Sequence, residues 1–145
     1  MADILPADGV LKDGIFYFPV RVYYEDTDAG GIVYYANYLK FAERARSEFL
    51  RALGINQQKI LADQQTGFVV RSCHVEYLKS AVLDDALVVV SEVTEMGSAS
   101  AVMKQRICRG DEVLADIEVK LIFLSLATHR PTRICTEISS KMPTK

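Results

Sequence analysis

The chain has 145 residues, half of them hydrophobic and a quarter charged, with a net charge of −2. That is the length and composition of one globular domain able to bury its own core. Both signs of charge are mixed along the chain, so no basic footprint argues for nucleic acid. No apolar run approaches the roughly 18 residues of a membrane span.

The first eight residues, Met1 to Asp8, carry acids and no apolar stretch, which is not the pattern of a signal peptide. Cys73, Cys108 and Cys135 are odd in number and lack C-x-x-C spacing. They read as reduced thiols of a cytoplasmic protein, not as a disulfide framework or a zinc site. Residues 1–13 are polar and expected to be loosely ordered.

Ile15 to Tyr24 is rich in aromatic and β-branched residues and predicts a first strand. Pro19 marks part of it as an edge or a bend, because proline cannot donate to a ladder. From about Tyr35 to Leu53 the period changes: Tyr38, Ala42, Ala45, Phe49 and Ala52/Leu53 build one apolar face of a helix. Lys40, Glu43, Arg44, Ser47 and Arg51 fall opposite, where Glu48 can pair with Arg44 or Arg51. Gly54 stands where a helix C′ glycine belongs. Two alanines in the middle of the buried face let another element come close.

Residues 55–66 read as a short second helix or an irregular connection. Gly67 to Lys79 is a long strand, and Asp84-Asp85 a turn. Leu87, Val89, Ser91 and Val93 alternate with Val88, Val90 and Glu92; Met96-Gly97-Ser98 turns the chain. Ala99, Ala101, Met103, Gln105 and Ile107 then share one face. Arg109-Gly110-Asp111 reads as a hairpin turn rather than an adhesion signal. Val113, Ala115, Ile117, Val119, Leu121 and Phe123 form the apolar face of the last strand, and Pro131 is expected to end regular structure. Alternation of this kind puts one face on a core. The expectation is an α+β domain over 1–145, ordered over about 15–127, with one long central helix wrapped by a curved antiparallel sheet of about five strands. A single helix leaves a strand edge short of cover, which favours oligomerisation by edge pairing.

The stretch Tyr23 to Tyr38 concentrates three carboxylates, two adjacent glycines and five tyrosines. Asp26-Thr27-Asp28 begins like a calcium loop, but Gly30 and Asn37 occupy the fifth and twelfth positions, where the loop needs oxygen ligands and a bidentate Glu. Neither phosphate-loop pattern is present. His74 and His129 are distant in sequence from the acids, and no nucleophile elbow occurs. Two readings stand open: Glu25, Asp26 and Asp28 cap a helix and solvate a loop, or they form a site. Three acids within four residues favour a site, because Gly30-Gly31 frees backbone N–H groups beside the helix start, and such groups can hold an oxyanion.

Val20 to Tyr38, continued by Phe41 to Leu50, resembles the hotdog-fold acyl-CoA thioesterases, in particular the Tol-Pal-associated branch of the 4-hydroxybenzoyl-CoA thioesterase-like group. Gly67-Phe68-Val69-Val70-Arg71, Val75-Glu76-Tyr77 and Asp84-Asp85-Ala86-Leu87 extend the match to roughly residues 15–125. The resemblance implies hydrolysis of acyl-CoA thioesters at a subunit interface in a homodimer or homotetramer, with no cofactor and no metal. Asp28 matches the family's nucleophile or general base. Tyr35 matches the position whose backbone N–H meets the oxyanion, and Tyr24 a supporting tyrosine. Gly31, Val33, Val69, Val70 and Arg71 are expected to contact substrate, which could also arrive on acyl-carrier protein.

There are two departures. The Tol-Pal relatives commonly have histidine where Tyr35 stands, so a catalytic imidazole is not expected. Met96 to Ser100 lacks the cations that meet the CoA phosphates in some members, leaving Lys104, Arg106, Arg130 or Arg133 as substitutes. The alternative is a non-catalytic hotdog scaffold for acyl thioesters or acyl-carrier protein, against which the intact Asp28 argues. A hotdog dehydratase would need an Asp/His pair that is missing.

Overall fold

The computed structural model describes Ile4, Pro6 and residues 8–143. Most of the segment that bears on the signal-peptide reading therefore lies outside the described residues. Six strands form one antiparallel sheet: β1 (Val10–Lys12), β2 (Ile15–Arg21), β3 (Thr66–Tyr77), β4 (Ala86–Met96), β5 (Ser100–Arg109) and β6 (Glu112–Ser125), in the spatial order β1-β2-β4-β5-β6-β3. The central helix α1 (Asn37–Ala52) crosses it, and a short helix α2 (Gln57–Gln64) follows. This is the hotdog fold, with one strand more than expected. Among the described residues no helix is long and apolar enough to cross a membrane.

The extra strand is β1, within the segment expected to be loose. It pairs Val10 with Tyr17 and Lys12 with Ile15. Asp13 and Gly14 between them both have positive φ, 53° and 78°, as a two-residue hairpin loop requires. β2 ends at Arg21 rather than at Tyr24, because the chain there turns into a 3-10 turn, Tyr24–Asp26. Pro19 lies beyond the reach of β1, where β2 is bonded only to β4, so its missing donor costs no ladder bond. Regular structure also continues past Pro131: Ile134 and Ile138, the latter in a one-turn helix α3 (Thr136–Ser139), pack on Leu50, Ile60 and Phe123.

The buried face of α1 is Tyr38, Phe41, Ala42, Ala45, Phe49 and Leu50. Ala42 and Ala45 are fully enclosed by a cluster that includes Val89, Ile107 and Ile117, so their small size sets how closely helix and sheet approach. Phe49 continues the core with Phe16, Met103 and Val119. Glu48 pairs with Arg51 on the outer side. Gly54, at φ +79°, ends the helix region. Inward alternation on β4 and β5 is as the sequence predicts, including the polar Ser91 and Gln105, both fully buried. The helix packs on β2, β4 and β5. At the sheet's end β3 is left largely open, with every residue from Val69 to His74 exposed.

Candidate active site

Between the 3-10 turn and α1 the chain makes a small hairpin. Thr27 bridges Val33, the Asp28 N–H donates to Ile32 O at 2.9 Å, and the Gly31 N–H donates to Asp28 O at 3.0 Å. Gly31 has φ +81°, a conformation that side chains with a Cβ rarely adopt. The Asp28 carboxylate turns back onto this loop, with Oδ1 accepting the Gly30 N–H at 2.8 Å. No described residue bonds its Oδ2.

Asp26, two residues earlier, is buried and committed. Its Oδ2 accepts the Tyr23 N–H at 2.8 Å, and its carbonyl accepts both the Tyr34 N–H and Asn37 Nδ2. It ties the hairpin to the start of α1. The helix begins at Asn37, two residues after the expected Tyr35. Tyr35 lies in the preceding turn, and its N–H meets no backbone or side-chain acceptor among the described residues.

The hairpin leans on the loop between β3 and β4. The Val33 N–H donates to Ala81 O at 2.9 Å, Ile32 bridges Val82, and the Ala81 N–H donates to the Tyr38 hydroxyl at 3.0 Å. That loop is in turn held by Asp85, whose Oδ2 accepts the Val82 N–H at 2.9 Å and Arg109 Nη1 at 2.7 Å. Partial burial works to raise the Asp85 pKa, but these two donors outweigh it and hold the carboxyl below its usual range. Arg109 of the Arg-Gly-Asp turn is therefore a clamp on the loop behind the site.

Asp28 stands between two clefts. One, of about 480 Å³, is lined by Tyr24, Thr27, Ala29, Gly31 and Leu83 as well. The other, of about 280 Å³, has Val33, Tyr35, Tyr38, Tyr77 and Lys79 in its walls. The Tyr77 ring stands edge-on to Tyr35 at 5.8 Å and 5.6 Å from Tyr38. Partial burial, with Cys73, Tyr35 and Tyr38 close by, pushes the Tyr77 hydroxyl above its ordinary pKa, so it stays a neutral donor.

The structure thus brings Asp28, Tyr24, Tyr35, Gly31 and Val33 together, and does not bring Val69, Val70 and Arg71 to them within one chain. Val69 and Val70 line a third cavity, of about 320 Å³, with Glu43, Arg46 and Met103. Arg71 is the extra residue of a β-bulge between Val70 and Ser72. Neither histidine lines the clefts at Asp28; His74 lies on β3, 3.4 Å from Glu76. Of the candidate cations for CoA, Lys104 registers against Glu92 and Glu118, and Arg106 against Asp116. Both are on the sheet face away from α1.

The sequence reading missed Tyr77 as a site residue, and it missed Lys79, whose Nζ donates to Glu112 at 2.8 Å. It also missed Arg46. The available signal for the last was Gln105, a polar residue in the inward row of β5.

The thioesterase superfamily matches residues 30–115. The chain is 45% identical over 130 residues to the acyl-CoA thioesterase YbgC of Haemophilus influenzae, covering 90% of this chain and 96% of that protein. It is 50% identical over 100 residues to the acyl-CoA thioester hydrolase YbgC of Escherichia coli, covering 69% of this chain and 74% of that one. A probable thioesterase from Bartonella henselae, solved by crystallography, superposes with a TM-score of 0.79 at 32% identity. That match covers 83% of this chain and 99% of the other.

Proposed function

The chain belongs to the thioesterase superfamily, and we propose that it hydrolyses acyl-CoA thioesters to a carboxylic acid and CoA, with Asp28 as the reacting carboxylate. The observation that carries this reading is at one cleft. Asp28 keeps an unbonded carboxylate oxygen there, and Tyr35, in the same wall, keeps a backbone N–H without an acceptor. A carbonyl placed between them meets a base or nucleophile on one side and an oxyanion donor on the other.

A thioester needs little more. Its carbonyl carbon is electrophilic, and the C–S bond breaks to a thiolate that leaves without a strong acid behind it. Two routes fit Asp28. As general base it takes a proton from water while the water oxygen bonds to the carbonyl carbon. As nucleophile it bonds to that carbon itself, and water then cleaves the resulting anhydride. In both, charge gathers on the carbonyl oxygen, where the Tyr35 N–H receives it. The Gly30 N–H, bonded to Oδ1, fixes the carboxylate's direction. Tyr77 walls this cleft and Tyr24 the neighbouring one on the other side of Asp28, and Tyr35 supplies no imidazole.

A single chain leaves this site open. Tyr24 is 83% and Tyr35 60% exposed, and Ile32, Leu78, Val82 and Leu83 are exposed around them. An apolar patch of this kind is the mark of a surface that is covered. We take its cover to be a second copy joined through β3, the strand that carries Val69, Val70 and Arg71, so that these residues meet substrate beside the interface. The three cysteines are free, in keeping with work in the reducing cytoplasm.

Asp28→Asn keeps the loop bond to Gly30 and removes the charge. Turnover of acyl-CoA should fall about 100-fold to 10,000-fold with an unchanged circular-dichroism spectrum. Wild-type turnover by that variant would refute the assignment of Asp28. Acyl-carrier-protein thioesters, run beside CoA thioesters, decide which carrier is used.

A further inference from the structure

The interior of the sheet holds a polar cluster that the chemistry at Asp28 does not use. Gln105, fully buried on β5, donates from Nε2 to Ala42 O at 2.9 Å and to the equally buried Ser91 Oγ at 3.0 Å. Its Oε1 accepts Arg46 Nη1 at 2.8 Å. An amide and a hydroxyl in a hydrophobic core destabilise the fold unless their bonds are made. Here the bonds converge on the Gln105 amide, and one of them holds a guanidinium.

Arg46 is itself half-buried, and burial pulls its pKa below the ordinary value, Glu43 and Cys73 acting the other way. It forms no ion pair among the described residues. Of its five N–H donors, one is spent on Gln105. Arg46 lines the cavity of about 320 Å³, whose other walls include Phe49, Phe68, Val70, Met103 and Leu121. Glu43, Ser47 and Gln57 of the helices add polar groups to these walls, and Arg46 is the one cation among them. A largely apolar chamber with one oriented guanidinium suits an apolar ligand that carries an acceptor at one place.

The chamber and one Asp28 cleft share no lining residue, but both have walls in α1 and β3. Tyr38 of α1 and Tyr77 of β3 line the cleft, while Arg46 of α1 and Val69 and Val70 of β3 line the chamber. From Tyr38 to Arg46 the helix advances about 12 Å, the length scale of an extended acyl chain.

We propose that the chamber receives the far end of the acyl group and that Arg46 selects acyl chains bearing an acceptor oxygen there, a carboxylate or a hydroxyl. The inference rests on the thioesterase reading above. It assigns Arg46 as a specificity residue, with Gln105 positioning it.

The test compares kcat/KM of the full chain for hexanoyl-, octanoyl- and decanoyl-CoA with that for the ω-carboxy and ω-hydroxy acyl-CoA of each length. At one length or more the oxygen-bearing substrate should be favoured about tenfold over its plain counterpart, mostly through KM. Arg46→Met should collapse that ratio and Arg46→Lys restore part of it. The two arms distinguish carboxylate from hydroxyl. Arg46→Lys keeps a donor for Gln105 and serves as the folded variant should Arg46→Met fail to fold; its ratio must then lie below that of wild type. A wild-type ratio near one at every length overturns the proposal, as does a ratio unmoved by both variants, which would leave Arg46 a tie between helix and sheet. If no CoA thioester is turned over, it is the thioesterase reading that fails.

Discussion

Asp26 and Asp28 differ in what reaches their oxygens. Asp26 is buried with both its carboxylate and its carbonyl occupied, whereas Asp28 keeps one carboxylate oxygen free on an exposed loop. The residue pattern ranks the two equally, since either could cap a helix; the family resemblance picks Asp28, and the hairpin gives the two carboxylates their different surroundings. Tyr38 makes the same point. It reads as one core position of a helix, yet its buried hydroxyl accepts the Ala81 N–H and so joins α1 to the loop behind the site. Tyr38→Phe keeps the ring and removes the acceptor, leaving that N–H unpaired in the core. The expected cost is about 1–3 kcal/mol of stability, measured by denaturant unfolding. Thioesterase activity should fall as well, because Val33 hangs on the carbonyl of the same Ala81. A variant as stable as wild type would show that the loop is held without this bond.

Elements with strong periodicity were legible: α1 by its apolar stripe, β4 to β6 by alternation. The short ones were not. β1 is three exposed residues, too few to show a period, although Asp13-Gly14 carried the hairpin signal. The 3-10 turn hides in a run whose composition suits a strand. The loop from Leu78 to Asp85 has no period at all, and its function as a buttress comes from Arg109, distant in sequence. That contact makes a pH prediction. The folded Asp85 carboxyl titrates below its unfolded value. The stability it contributes is therefore complete above the unfolded carboxylate pKa of about 4 and is lost as pH falls through the lower folded value. Asp85→Asn should melt below wild type at neutral pH, and the gap should close as the pH is taken below about 4. A gap constant down to the acid limit would mean that the charge on Asp85 does nothing for the loop.

At the scale of the molecule, one helix covers one face of a six-stranded sheet and leaves the two edges unequal. β1 is too short to invite pairing, but β3 runs from Thr66 to Tyr77 with β6 on one side and, among the described residues, no strand on the other. A long free edge beside an open inner face is what a soluble monomer avoids. One of the two clefts at Asp28, through Tyr77, and the chamber at Arg46 have walls in this strand. Two copies joined edge to edge through β3 would form a closed, self-complementary contact and cover the exposed tyrosines. The proposed partner is legible only as an uncovered edge, since contacts between chains would leave no spacing within one. The bulge at Arg71 offers a way to test it. Arg71 is outside the β6 register, so Arg71→Pro removes a donor from the free edge at a position where proline is tolerated. Wild type should sediment at twice the chain mass or a multiple of it at about micromolar concentration. Arg71→Pro should shift it toward the monomer while the melting temperature of the isolated chain holds. Because two open half-sites replace closed ones, turnover of the variant should rise with protein concentration more steeply than in proportion. A wild-type monomer that is fully active would remove the second copy from the site.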